Sequence, residues 1–198
     1  MEHINKTKTN TISLKTYRKL SVEIYGKDVG NMVYDYWELI NNKFWNNKLK
    51  PILITFEVMP YGMCDAITQD RHIRIQTTLR FKDVVIEELI HEMIHQARGE
   101  LIDNNKLNKL YIKYDKKFQK GEMTSHNEPF WIESINRIYF IATGKELGAG
   151  FKKKKRIKGG GLTRVTDGKL EYKEICEFPS GKYLKEIINY LDKVKNIS

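Results

Sequence analysis

Cysteine is nearly absent from this 198-residue chain; only Cys64 and Cys176 occur. Two cysteines so far apart build no disulfide framework, so the fold must be held by packing. Long apolar runs are missing too. No stretch approaches the roughly 20 apolar residues that a membrane-spanning helix needs. The opening residues, Met1-Glu2-His3-Ile4-Asn5-Lys6, lack the apolar run of a signal peptide. These absences predict an intracellular, cytoplasmic protein in a reducing compartment, with no membrane partner. Cys64 reads as a small buried strand residue and Cys176 as an incidental thiol. Histidine is scarce as well, at five residues: His3, His72, His91, His95 and His126.

What is present begins with a hydrophobic content of 40%. That suffices for one real core, with room for a small appendage. Lysine and arginine number 35 against 25 acidic residues, a formal net charge of +10. A basic balance favours polyanions such as nucleic acid. The chain is also rich in Lys, Asn and Ile, and lysines scattered by composition alone form no binding site. Their densest run is Lys152-Lys153-Lys154-Lys155-Arg156. It lies in a Gly/Lys-rich stretch, 148–161, that reads as a flexible basic linker and a candidate nucleic-acid contact.

Two of the five histidines fall in one short window, His91-Glu92-Met93-Ile94-His95. The segment from Val84 to Ala97 is apolar almost all round, which predicts a buried helix, with Asp83 as its N-cap and Gly99 as its stop. Residues four apart share a helix face, so His91 and His95 can grip one metal ion. Glu92, beside the first ligand, is then placed to take a proton from water. The pattern is that of a zinc hydrolase, most often a peptidase.

A catalytic zinc site takes three protein ligands and keeps a position open. Three and six residues beyond His95 stand Arg98 and Leu101, which excludes a third ligand at that spacing. Two candidates remain, His126 and Glu128. Glu128 precedes Pro129, and proline disfavours helical geometry in the residue before it while favouring the first helical position itself. His126, 31 residues after His95, is therefore preferred over Glu128.

At this point the chain resembles the SprT-like (Spartan-type) zinc metallopeptidases. The resemblance rests on motif order across residues 30 to 145. A helix and a strand from Leu49 to Phe56 come first, then strands between Gly62 and Gln76. The Leu/Ile-rich helix with HExxH follows, and then His126, with Phe130 opening another helix. It implies an α+β, zincin-like fold, Zn2+ held by His91, His95 and His126, and Glu92 as catalytic base. It also implies proteolysis of DNA-associated proteins. Many members carry a zinc ribbon with two cysteine pairs after the protease domain. With two cysteines in all, this chain has none, so any DNA contact must come from other residues.

The remaining pattern fills in the architecture. Leu14, Tyr17, Leu20 and Ile24 predict a first helix within 11–25, and Asn31 to Asn46 predicts a second. Ile52, Ile54, Phe56 and Val58 alternate as a half-buried strand, and Gly62–Thr68 with Arg71–Gln76 read as a hairpin. That hairpin is the candidate cleft wall, with His72 an exposed strand histidine. Leu107 to Tyr114 suggests a short basic helix, whose Tyr111 or Tyr114 is weighed as an oxyanion donor against simple core packing. Phe130 to Thr143 reads as a helix stopped by Gly144. Leu162–Val165 and Lys169–Ile175 flank a turn at Asp167-Gly168, and Lys182 to Lys195 is amphipathic. The expected organisation is a peptidase domain, 1–147, the linker, 148–161, and a hairpin-helix appendage, 162–198. Two other readings stand beside the peptidase. One is a nucleic-acid-binding or assembly protein, phage or virion-type, that retains the fold with little catalysis. The other is a zinc hydrolase of a non-peptide bond, since fold does not fix chemistry.

Overall fold

The computed structural model describes residues 12–58, 65–67, 72–76, 81–102, 129–147, 153–157, 172–176 and 182–197. Within them the chain is helix-rich α+β. Helices α1 (Leu14–Tyr25) and α2 (Lys27–Trp45) precede strands β1 (Leu53–Glu57), β2 (Asp65–Ile67) and β3 (His72–Gln76). Then come α3 (Lys82–Ala97), α4 (Pro129–Thr143), strands β4 (Lys153–Ile157) and β5 (Tyr172–Cys176), and finally α5 (Lys182–Lys195).

Gly26 separates α1 from α2. Its φ of 86° is open to glycine at no cost, and its N–H closes α1 on the Val22 carbonyl. The two helices then cross at Gly30. A Cβ there would stand 2.5 Å from the Val22 backbone nitrogen, so only glycine permits the approach. The second helix thus starts four residues before the sequence pattern suggests, because Gly30 serves as a packing contact inside it. At its other end Asn46 takes the left-handed conformation that asparagine tolerates, and Asn41 bonds both backbone groups of Leu49.

The main sheet has the order β1-β3-β2, with β1 parallel and β2 antiparallel to β3. Alternation holds as the sequence predicts. Ile54, Phe56, Ile73 and Ile75 are buried, while His72, Arg74 and Gln76 are partly exposed. The antiparallel β2–β3 pairing agrees with the expected pairing of these two segments. Val58 is 89% exposed, so β1 ends before it. The outer edge of β1 is already taken: the Tyr34 and Tyr25 hydroxyls accept from the Ile54 and Phe56 N–H groups. Among the described strands β2 is the other edge.

Two expectations about the C-terminal part need correction. Residues 153–157, read as linker, form a strand whose register sets Lys155 across from Glu174 and Ile157 across from Tyr172. A lysine run carries no veto on extended backbone once a partner strand supplies the hydrogen bonds. The expected 162–165 strand and its turn lie outside the described residues. Second, α5 is no appendage. Leu184, Ile187, Ile188 and Leu191 are buried in the same core as Tyr34, Ile40, Leu89 and Ile135. Polar ties reinforce this docking. Asp192 accepts from Tyr36 and from Lys82, Lys195 bonds Asp35, and Tyr139 bonds Glu186. An amphipathic pattern announces that a helix has a partner surface; it does not say that the surface lies 150 residues upstream. Among the described residues no helix is long and apolar enough to cross a membrane.

Candidate metal centre

Helix α3 is buried along most of its surface. Val85, Ile86, Leu89, Ile90, Met93, Ile94 and Ala97 all point into the core. One stripe stays partly open: Val84, Glu87, Glu88, His91, His95 and Arg98. The helix is therefore not apolar all round, and both histidines lie on its accessible stripe. The predicted boundaries also shift. Phe81 occupies the N-cap without a side-chain hydrogen bond, and Asp83 sits in the first turn. Gly99 does not stop the helix but lies within a π-helical turn, Arg98–Ile102. Such turns recur next to functional sites.

What replaces the stop is a polar clamp. Gln96, fully buried, donates to the Lys50 carbonyl at 2.8 Å and to Glu100 Oε1 at 3.0 Å. Glu100 Oε2 accepts from the Lys50 N–H at 2.8 Å, and Gln96 Oε1 accepts from Trp37 Nε1 at 3.4 Å. The back of α3 is thus tied to α2 and to the segment entering β1, which fixes the rotation of the helix. Sequence reading passed over Gln96 and Glu100; the available signal was a lone glutamine in an apolar stretch.

On the open side, His91 Nε2 and His95 Nε2 lie 3.3 Å apart. Two lone pairs facing each other at that distance repel, and so do two N–H groups. The pair is stable when one ring donates to the other, or when both lone pairs face a cation. Zn–N bonds of about 2.0–2.1 Å at the tetrahedral angle put two nitrogens about 3.3–3.4 Å apart. The donor chemistry and the spacing therefore fit zinc. Glu92 is 2% exposed, with Oε1 3.8 Å from His91 Nε2. Trp131 of α4 holds both rings. It stacks on His95 at 4.9 Å and 20°, and meets His91 edge-on at 4.9 Å and 68°. The sequence motif stops at Phe130 and misses Trp131, which touches both proposed ligands.

Upstream of the histidines, burial pushes the Glu87 carboxyl above its ordinary range and the charge of Glu88 adds to this. His72 lies elsewhere, on β3. Its Nε2 is 2.7 Å from Thr55 Oγ1, and Glu57 stands 3.6 Å away, so it is partly exposed and tied into a strand network. His126 and Glu128 lie outside the described residues, as do Tyr111, Tyr114, Cys64 and Lys152. α4 does begin at Pro129, as the proline argument requires. Among the described residues no group of three or more His, Cys, Asp or Glu side chains is assembled. Lys153, Lys154, Lys155 and Arg156 all fall on β4.

Comparison with known proteins adds no family. No protein-family model matches the chain, and no match is found among curated proteins or solved structures. The functional reading rests on the residues themselves.

Proposed function

We propose that this chain is a zinc-dependent metallopeptidase of zincin-like fold, with zinc held by His91, His95 and His126. The observation that carries the reading is the histidine pair: two Nε2 atoms 3.3 Å apart on the open stripe of an otherwise buried helix. A surface helix with two solvated histidines would not need Trp131 against both rings, nor a buried glutamate between them.

When bound, zinc supplies Lewis acidity toward water and toward a peptide carbonyl. The protein does the rest. Glu92 takes a proton from the attacking water and delivers it to the leaving amine. Trp131 holds the imidazoles in place. The Gln96 clamp keeps α3 from rotating, so the ligands stay on the open side. An extended peptide has β2 as its available strand edge, since β1 is occupied by tyrosine hydroxyls. The substrates are assigned to DNA-associated proteins on the net charge of +10 and the basic strand β4.

Metal content and cleavage of an unfolded protein such as casein test this together. Wild type should carry one zinc per chain and cleave. Glu92→Gln should keep the zinc and lose about 10²–10⁴-fold in rate. His126→Ala should lose the metal; zinc retained there would make Glu128 the third ligand. Wild-type cleavage by Glu92→Gln would sink the mechanism. A well-folded wild type that takes up no zinc would favour the non-catalytic binding reading. Duplex DNA should accelerate cleavage at low salt and not at high salt.

A further inference from the structure

Helix α4 presents a second face beside the one that carries Trp131. Phe130, Glu133, Ser134 and Arg137 follow the i, i+3, i+4, i+7 spacing of a single stripe. That stripe lines an open cleft of about 270 Å³. Its other walls include Phe44 and Trp45 at the end of α2 and Leu101 of the π-helical turn. Aromatic and aliphatic walls of this kind hold a flat apolar group.

Trp45 supplies an aromatic wall, and Arg137 supplies a cation with donors to spare among the described residues. Trp45 is 3% exposed, and part of its ring forms a wall of the cleft while its Nε1–H is closed to solvent. Arg137 has five N–H donors, of which one nitrogen donates to the Phe44 carbonyl. Its guanidinium carbon lies 5.7 Å from the centre of the Trp45 ring. No carboxylate among the described residues pairs with it, and partial burial pulls its pKa down without an anion to offset the effect. A cation set against aromatic walls calls for an acceptor that is anionic and attached to an apolar body. Arg137 and Lys48 set against Glu133 leave the lining with one net positive charge, which matches a monoanionic carboxylate better than a phosphate dianion.

We propose that this cleft binds a small aromatic carboxylate, the chemistry of an aromatic residue at a peptide's C-terminus. Arg137 pairs with the carboxylate, and Phe44, Trp45 and Phe130 enclose the ring. The site requires neither the metal nor the histidines, so its failure would leave the peptidase reading untouched.

The test is a titration of N-acetyl-phenylalanine into the ¹⁵N-labelled full chain without added metal. The readout is the Trp45 indole N–H resonance, assigned with Trp45→Phe. A saturable shift is expected. N-acetyl-phenylalaninamide, which lacks the carboxylate, should bind about tenfold more weakly or worse. Arg137→Met should weaken the acid to the level of the amide, with an unchanged melting temperature as the folding control. Arg137→Lys should retain part of the affinity, as a charge without the planar fork. The absence of a saturable shift would overturn the proposal. Equal affinity for acid and amide would overturn it too, as would full binding by a folded Arg137→Met or equal competition by inorganic phosphate.

Discussion

Gly30→Ala sets two effects of opposite sign against each other. Gly30 lies inside α2, where replacing glycine with alanine in an ordinary exposed helix gains about 1 kcal/mol. Here the new Cβ would meet the Val22 backbone nitrogen at 2.5 Å, the Val22 Cα at 2.6 Å and the Ser21 carbonyl carbon at 2.7 Å. All three are backbone atoms of a helix, so no side chain can swing aside. The two helices must separate, which loosens the packing of Val33, Tyr34 and Trp37 behind them. Overpacking of this kind costs about 1–3 kcal/mol, and here, where backbone must move, the upper part of that range, about 2–3 kcal/mol. The clash should win, giving a net loss of about 1–2 kcal/mol. For a chain of this size that lowers the melting temperature by about 2–8 °C. Urea unfolding of wild type and variant measures it directly. An alanine variant as stable as wild type, or more stable, would refute the close crossing of α1 and α2.

Leu191→Ala should cost about 2–5 kcal/mol, as for a fully buried core leucine, within a single cooperative urea transition; a separate early transition would restore the appendage reading. Asp192 should make stability acid-sensitive. Partial burial works against its charged form, but hydrogen bonds from Lys82 and Tyr36 outweigh it and hold the carboxyl below its ordinary value. Its folded-state pKa is thus depressed, so its contribution is present above about pH 4 and lost as pH falls through the folded value. Asp192→Asn should flatten the fall in melting temperature below pH 4, and an unchanged slope would count against the Lys82–Asp192–Tyr36 link. Trp131→Ala should weaken zinc binding about tenfold, measured by chelator competition, because the ring that orients both imidazoles is gone; wild-type affinity would deny Trp131 that part.

The parts of this fold that sequence made legible are those governed by local spacing. His91 and His95 must share a face once the helix forms, and the alternation from Ile52 to Phe56 must bury one side of a strand. Pro129 marks a helix start because its ring forbids most alternatives. What sequence hid depends on pairs far apart in the chain. Gln96 meets Lys50 across 46 residues and Trp37 across 59, and no local pattern announces either. The docking of α5 on α2 is of the same kind. The strand at 153–157 was hidden for another reason: its residues have weak intrinsic preference, and the partner at 172–176 decides. The proposed third ligand falls between these cases, since sequence distinguishes His126 from Glu128 only by their relation to Pro129.

The way α3 is held bears on whether a metal at the proposed site would build it or only occupy it. In small zinc domains the ion supplies the folding energy, and removing it unfolds the chain. Here the core around α3 is made of side chains that do not touch the histidines: Val85, Leu89 and Met93 pack inward, and Gln96 locks the helix from behind. The Nε2 spacing of 3.3 Å is set by helix geometry and Trp131. The ligand face should therefore persist without metal. Stripping zinc with 1,10-phenanthroline should leave the far-ultraviolet circular dichroism spectrum unchanged. It should lower stability only by the binding linkage, about 4 kcal/mol where free zinc stands 1,000-fold above its dissociation constant. Re-adding zinc should restore that increment in full. Loss of helical signal on chelation would show that the pair is assembled by the ion, and the preorganisation argued from Gln96 and Trp131 would be wrong.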